Sequence, residues 1–140
     1  KKELLSCVLL LSAMAAAAQD NSVFYYIYDD ASQTATVTYK RSSDGGKEGG
    51  TYVGDIVIPA KVPNGYAVTT IGEHAFYHSN LMTSLTVPAT VDSIGSEPFY
   101  DSGAKLTKIT IEDADQPLRC HVRDAWPNGC FPVFGRDVNV

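Results

Sequence analysis

Leu85-Thr86-Val87-Pro88-Ala89-Thr90-Val91-Asp92-Ser93-Ile94-Gly95-Ser96-Glu97-Pro98-Phe99-Tyr100 carries a pattern that the chain has already used once. Its second half, from Ile94, repeats Ile71-Gly72-Glu73-His74-Ala75-Phe76-Tyr77 at an offset of 23, with Val91 in register with Val68. Its first half, Leu85 to Val91, repeats Ile56-Val57-Ile58-Pro59-Ala60-Lys61-Val62 at an offset of 29. The difference of six residues is the turn-rich stretch around Pro63-Asn64-Gly65-Tyr66. A third copy of the strand part, Leu106-Thr107-Lys108-Ile109-Thr110-Ile111, follows Met82-Thr83-Ser84-Leu85-Thr86-Val87 at an offset of 24. The period of about 23 residues falls in the range of a leucine-rich solenoid.

Elementary packing agrees with that period. Leu85 and Val87 alternate with Ser84 and Thr86, and Ile109 and Ile111 with Lys108 and Thr110, so each short strand has one apolar side. Pro88 ends its strand, Gly72 and Gly95 are expected at tight bends, and Ala75-Phe76 is expected to send a ring into the core from a short helical turn. One repeat buries only one face and needs neighbours to cover it. The expected fold is therefore a β-rich α/β solenoid, with short parallel strands joined by short helical turns. On its outer side Asp55, Val57, Ser84, Thr86, Lys108 and Thr110 alternate away from the core and should form a mixed polar strip. A flat strip of this kind suits a protein partner better than a small molecule, which prefers a concave apolar pocket.

Upstream of the repeats, Val23-Phe24-Tyr25-Tyr26-Ile27-Tyr28 and Thr34-Ala35-Thr36-Val37-Thr38-Tyr39-Lys40 flank a run of turn formers, a β-hairpin signature. Ser42 to Gly50, glycine-rich and without period, reads as an exposed loop. At the start of the chain Lys1 and Lys2 precede an apolar run from Leu4 to Ala18 that ends in alanines. This reads as a secretory signal peptide cleaved between Ala18 and Gln19, too short for a membrane span of about 20 residues. The expected organisation is a signal peptide at 1–18, a hairpin cap and loop at 19–50, and a solenoid at 51–140. Asp137-Val138-Asn139-Val140 starts another alternation without a polar cap, so further repeats are expected beyond it.

The repeated pattern L-x-x-L-x-V-P-x-x-V-x-x-I-G-x-x-A-F resembles the leucine-rich repeats of BspA-like surface proteins, the Treponema pallidum type. The resemblance covers about Tyr52 to Ile111. The sequence departs from it at Pro98, which stands for the small Ala and is expected to open the helical turn, and at Glu112, which stands for the strand-ending Pro. Glu112-Asp113-Ala114-Asp115 is expected to be a loop leading out to Cys120. The resemblance implies a non-enzymatic binding or adhesion module, secreted or on the cell surface, whose partner is an extracellular protein such as a host matrix component or another cell's surface.

Composition narrows the alternatives. The chain has 140 residues, 44% hydrophobic and 19% charged, with a formal charge of -5, which is globular and leaves no basic field for nucleic acid. In the exported chain Cys120 and Cys130 remain, and an oxidising compartment argues for a disulfide between them, a buried core thiol being the other reading. His74 and His78 have the i, i+4 spacing of a zinc site, but their repeat counterparts are Glu97 and Asp101, so solvent-facing repeat positions are the simpler account. Glu112, Asp113 and Asp115 lack the spacing of a calcium loop, and the adjacent Cys120 and His121 cannot readily aim at each other as a dyad. No catalytic motif, cofactor or metal is expected. A glycan-binding accessory role is the alternative, using Tyr25, Tyr26, Tyr28, Tyr39, Tyr52 and Trp126 as stacking surfaces; a structural spacer in a longer surface protein is another.

Overall fold

The computed structural model describes residues 24–49, 52–102, 104–120, 126, 132–135 and 138–139. The signal-peptide reading of 1–18 and the residue Cys130 lie outside them. The strands are β1 (Tyr25–Asp29), β2 (Thr34–Thr38), β3 (Lys40–Arg41), β4 (Lys47–Glu48), β5 (Val53–Val57), β6 (Ala67–Ile71), β7 (Leu81–Val87), β8 (Ser93–Ile94), β9 (Lys108–Ile111), β10 (Leu118–Cys120), β11 (Pro132–Phe134) and β12 (Val138–Asn139). Successive pairs, β5 with β6, β7 with β8, β9 with β10 and β11 with β12, are the two strands of successive coils. One strand of each coil joins a four-stranded sheet ordered β11-β9-β7-β5, and the other joins a six-stranded sheet ordered β1-β2-β6-β8-β10-β12. All pairings between coils are parallel. At the N-terminal end β1 and β2 pair antiparallel, and β2 runs parallel to β6.

The repeat copies stack residue on residue. Ile56, Leu85 and Ile109 are neighbours across β5, β7 and β9, and Val87 lies beside Ile111. From the other sheet Val37, Ile71, Ile94 and Cys120 follow one another in the same way. All of these are buried, and together they fill the space between the sheets. A second column is aromatic: Phe24 meets Tyr52 at 5.4 Å between centroids, Tyr52 meets Phe76 at 5.2 Å, Phe76 stacks on Phe99 at 5.2 Å, and Phe99 meets Trp126 at 6.3 Å.

The expected helical turns are not helices. Val68 to Ile71 and Ser93–Ile94 are strands of the second sheet, and no helix occurs among the described residues. The segment after each Ile-Gly is a run of tight turns, with Tyr77 N–H donating to the His74 carbonyl at 3.0 Å and Ser79 N–H to the Phe76 carbonyl at 3.1 Å. His74 and His78, and their counterparts Glu97 and Asp101, all have positive φ, between 44° and 55°. A left-handed residue reverses the chain and stops helix propagation, which is why the period of apolar residues here does not become a helix. Phe76 and Phe99 still reach the core, and Phe76 N–H donates to the Pro98 carbonyl of the next coil at 2.8 Å.

Gly72 and Gly95 are needed for close stacking rather than for a bend. Gly95 N–H donates to the Ile71 carbonyl at 2.8 Å, and a Cβ there would stand 2.9 Å from the Glu73 nitrogen. Two further expectations change. Ser42 to Gly49 is not all loop: Lys47–Glu48 pair antiparallel with Lys40–Arg41, closed by a turn with Gly45 at φ 86° and by a Lys40–Glu48 ion pair at 2.6 Å. Its strands are two residues long, too short to show a period. The acidic stretch does not lead out of the fold either. Glu112 N–H bonds the Val87 carbonyl, its carboxylate accepts from Ala89 N–H, and the chain returns as β10 beside β8.

Candidate binding surface

The outer side of the four-stranded sheet is built from residues whose backbone position is fixed by parallel register. Asp55, Ser84 and Lys108 lie side by side on β5, β7 and β9. One pleat further on, Val57, Thr86 and Thr110 do the same. The strand spacing of about 4.8 Å makes this a grid of two rows and three columns. Their neighbours along each strand, Ile56, Leu85, Val87, Ile109 and Ile111, are buried, so the six point away from the core. Asp55, Val57 and Lys108 are exposed, and Ser84, Thr86 and Thr110 are half-buried by the columns on either side.

The grid has internal bonding. Ser84 Oγ donates to Asp55 Oδ1 at 2.7 Å and Thr83 Oγ1 donates to the same oxygen at 2.9 Å. The hydroxyl of Ser84, then that of Thr83, holds the Asp55 carboxyl below its ordinary range, so it is a fixed negative charge at neutral pH.

Two further residues join this face: Val53, which alternation turns outward with Asp55 and Val57, and Leu81, which alternation does not predict. Val53 and Leu81, paired across β5 and β7, are 60% and 50% exposed. The register slips between Gly54 and Asp55, so Thr83 is an extra residue on β7. Strict alternation would turn Met82 outward with Ser84 and Leu81 inward with Leu85; the slip buries Met82 and exposes Leu81. Gly54, at φ 77°, marks the irregularity, and a glycine inside a strand pattern is the signal for it in sequence.

The other candidate residues fall elsewhere. His74 Nε2 lies 3.3 Å from Glu97 Oε2, and Lys47 Nζ contacts His74 Nδ1. The lysine can only donate, so Nδ1 accepts and the Nε2–H donates to Glu97. His78 Nε2 lies 2.6 Å from Asp101 Oδ2. The two histidines thus pair with their own counterparts one coil on, and the His74 side chain is only 12% exposed. Among the described residues no group of three or more His, Cys, Asp or Glu could hold a metal ion. Asp113 and Asp115 line an open cavity of about 610 Å³ with Asp92 and Gln116, on the turns after β7 and β9.

Cys120 is a buried thiol, and Cys130, the other half of the expected bridge, lies outside the described residues. Its position in β10, after buried Leu118 and exposed Arg119, turns it inward as a small core residue, and burial pushes its pKa up to about 11. The aromatic set is mostly structural. Tyr52 is fully buried, Trp126 is half-buried against Phe99, and Tyr25, Tyr26 and Tyr39 are half-buried. Tyr28, 49% exposed, is the one of that set that faces solvent.

Residues 54–118 match the family model described as BspA type leucine rich repeat region, in six copies. Among solved structures, a leucine rich cell surface protein from Faecalibacterium prausnitzii A2-165 is similar at 32% identity over 73% of this chain and 25% of its own, with a TM-score of 0.49. A leucine-rich repeat protein from Bacteroides capillosus ATCC 29799 is similar at 22% identity over 82% of this chain and 96% of its own, with a TM-score of 0.47. The chain spans about a quarter of the length of the Faecalibacterium protein. No curated protein matches the sequence.

Proposed function

We propose that this chain, whose residues 54–118 belong to the BspA-type leucine-rich repeat family, is a non-enzymatic binding module of the cell surface, with an extracellular protein as its partner. The partner face is the outer side of the four-stranded sheet: Asp55, Val57, Ser84, Thr86, Lys108 and Thr110, extended by Val53 and Leu81. The observation that carries this reading is the register that sets the six residues in two lateral rows on three adjacent strands. A surface of that regularity offers fixed charge, hydroxyls and apolar side chains at strand spacing, over an area that a protein can cover and a small molecule cannot. Export rests on the leader-like residues 1–18 and on the surface proteins that carry such repeats. The antiparallel β1–β2 hairpin serves as the N-terminal cap of the six-stranded sheet.

The test is binding of the purified protein to immobilised extracellular matrix proteins, compared with a double variant, Ser84→Glu with Thr110→Glu. Two added carboxylates on the face should weaken binding by about tenfold or more while the melting curve stays in place. Unchanged affinity, or loss of the fold, would remove this face as the recognition surface. A glycan array run in parallel addresses the aromatic alternative, for which exposed Tyr28 is the residue to substitute.

A further inference from the structure

The four-stranded sheet ends at β5. Its neighbour on one side is β7, and no other strand pairs with it among the described residues, whereas the six-stranded sheet is continued past β6 by β2 and β1. Parity settles which backbone groups face the open side. Ile58 N–H donates to the Thr86 carbonyl at 3.0 Å, so Ile56 and Ile58 direct their backbone groups at β7. Groups alternate along a strand, which leaves the N–H and C=O of Asp55 and Val57 turned to the edge. On the outer face of that same strand stand Val53, Asp55 and Val57 at i, i+2 and i+4: apolar, anionic, apolar. Val53 and Val57 are 60% and 46% exposed.

The geometry points to β5 as the acceptor for one extended strand of a partner protein, which pairs with the edge and carries a basic side chain flanked by apolar ones at alternate positions. An added strand places its outward side chains directly opposite those of β5, about 5 Å away. The fixed charge of Asp55 selects lysine or arginine at the middle position, and Val53 and Val57 select apolar residues two positions either side. A second copy of this chain is disfavoured as the occupant, since antiparallel pairing about the middle of β5 would set Asp55 against Asp55. The inference rests on the same face being the recognition surface, and adds the occupant of one edge.

The experiment uses the whole chain and two end-capped peptides, Thr-Val-Thr-Lys-Thr-Val-Thr and the same sequence with Glu for Lys, with binding read by fluorescence anisotropy and by amide hydrogen exchange. The Lys peptide is expected to bind about five- to tenfold tighter than the Glu peptide. It should slow exchange at the amides of Asp55 and Val57. Asp55→Lys should reverse the preference. Val57→Pro removes an edge N–H without touching a bond to β7, and should abolish binding. Ser84→Glu with Thr110→Glu, which disables the face for a whole protein partner, should leave amide protection at β5 in place, so the two readings fail separately. Equal binding of both peptides, no binding of either, or no protection at Asp55 and Val57 in the unaltered protein would overturn the proposal. Concentration-dependent self-association through β5 would overturn it as well.

Discussion

Asp55 shows how one side chain is tuned by its lateral neighbours. Its carboxylate accepts from Ser84 and Thr83 on the adjacent strand, and both bonds are made to the ionised form. The folded value therefore lies below the ordinary 3.8. The bonds add stability that is fully present above that pH and is lost as pH falls through the lower, folded value. A carboxyl titration followed by NMR should give Asp55 a midpoint under 3.8, rising towards it in Ser84→Ala with Thr83→Ala. Cys120 is the opposite case, a group kept neutral. Its pKa is raised to about 11 by burial, so it favours the fold below the ordinary value of 9.0, and that contribution is lost as pH rises through 11. Alkylation at pH 8 should leave Cys120 unmodified in the folded protein and label it in denaturant, as mapped by mass spectrometry. Rapid labelling of the native chain at Cys120 would contradict its burial.

The coil's turn is the element where sequence pattern and backbone part company. Ile-Gly-x-x-(Ala/Pro)-Phe has the spacing of a helical turn, yet one of its residues in each copy, His74 and Glu97, and another two positions past the Phe, His78 and Asp101, sit at positive φ. The turn is held instead by the next coil, through Phe76 N–H to the Pro98 carbonyl and His78 N–H to the Tyr100 carbonyl at 3.3 Å. Contacts between neighbouring coils replace the bonds a helix would have made within one. The glycine before the turn follows the same logic. Gly95→Ala would push a methyl group into the backbone of Glu73, so the first and second coils would have to part. A loss of about 1–3 kcal/mol is expected in urea unfolding. A neutral effect would mean that the coils are not held at this spacing. Exposed positions of the same turn should tolerate change, since little beyond the surface contact of His78 with Asp101 depends on them.

At the scale of the molecule, the two sheets and the aromatic column form one core that runs through the coils, so damage in the middle is felt by both neighbours. Phe76, fully buried between Tyr52 and Phe99, is the central ring. Phe76→Ala should cost about 3–5 kcal/mol, measured by denaturant unfolding. The period of about 23, the apolar side of each strand at Ile56, Leu85 and Ile109, and the repeat family whose model residues 54–118 match were all legible in the order of residues, because a solenoid writes each coil's burial pattern again in the next. The grid of Asp55, Ser84 and Lys108 was legible for the same reason: alternation fixes which side of a strand faces out. Other features were decided only by the packing of one coil on another. The second sheet through Val68 to Ile71, the left-handed turns, the core position of Cys120, and the exchange of Leu81 for Met82 across the register slip all depend on contacts between residues some 20 to 30 positions apart. A local pattern records which residues prefer burial; which backbone bonds satisfy them, and which face a slipped strand presents, is set by the neighbour it pairs with.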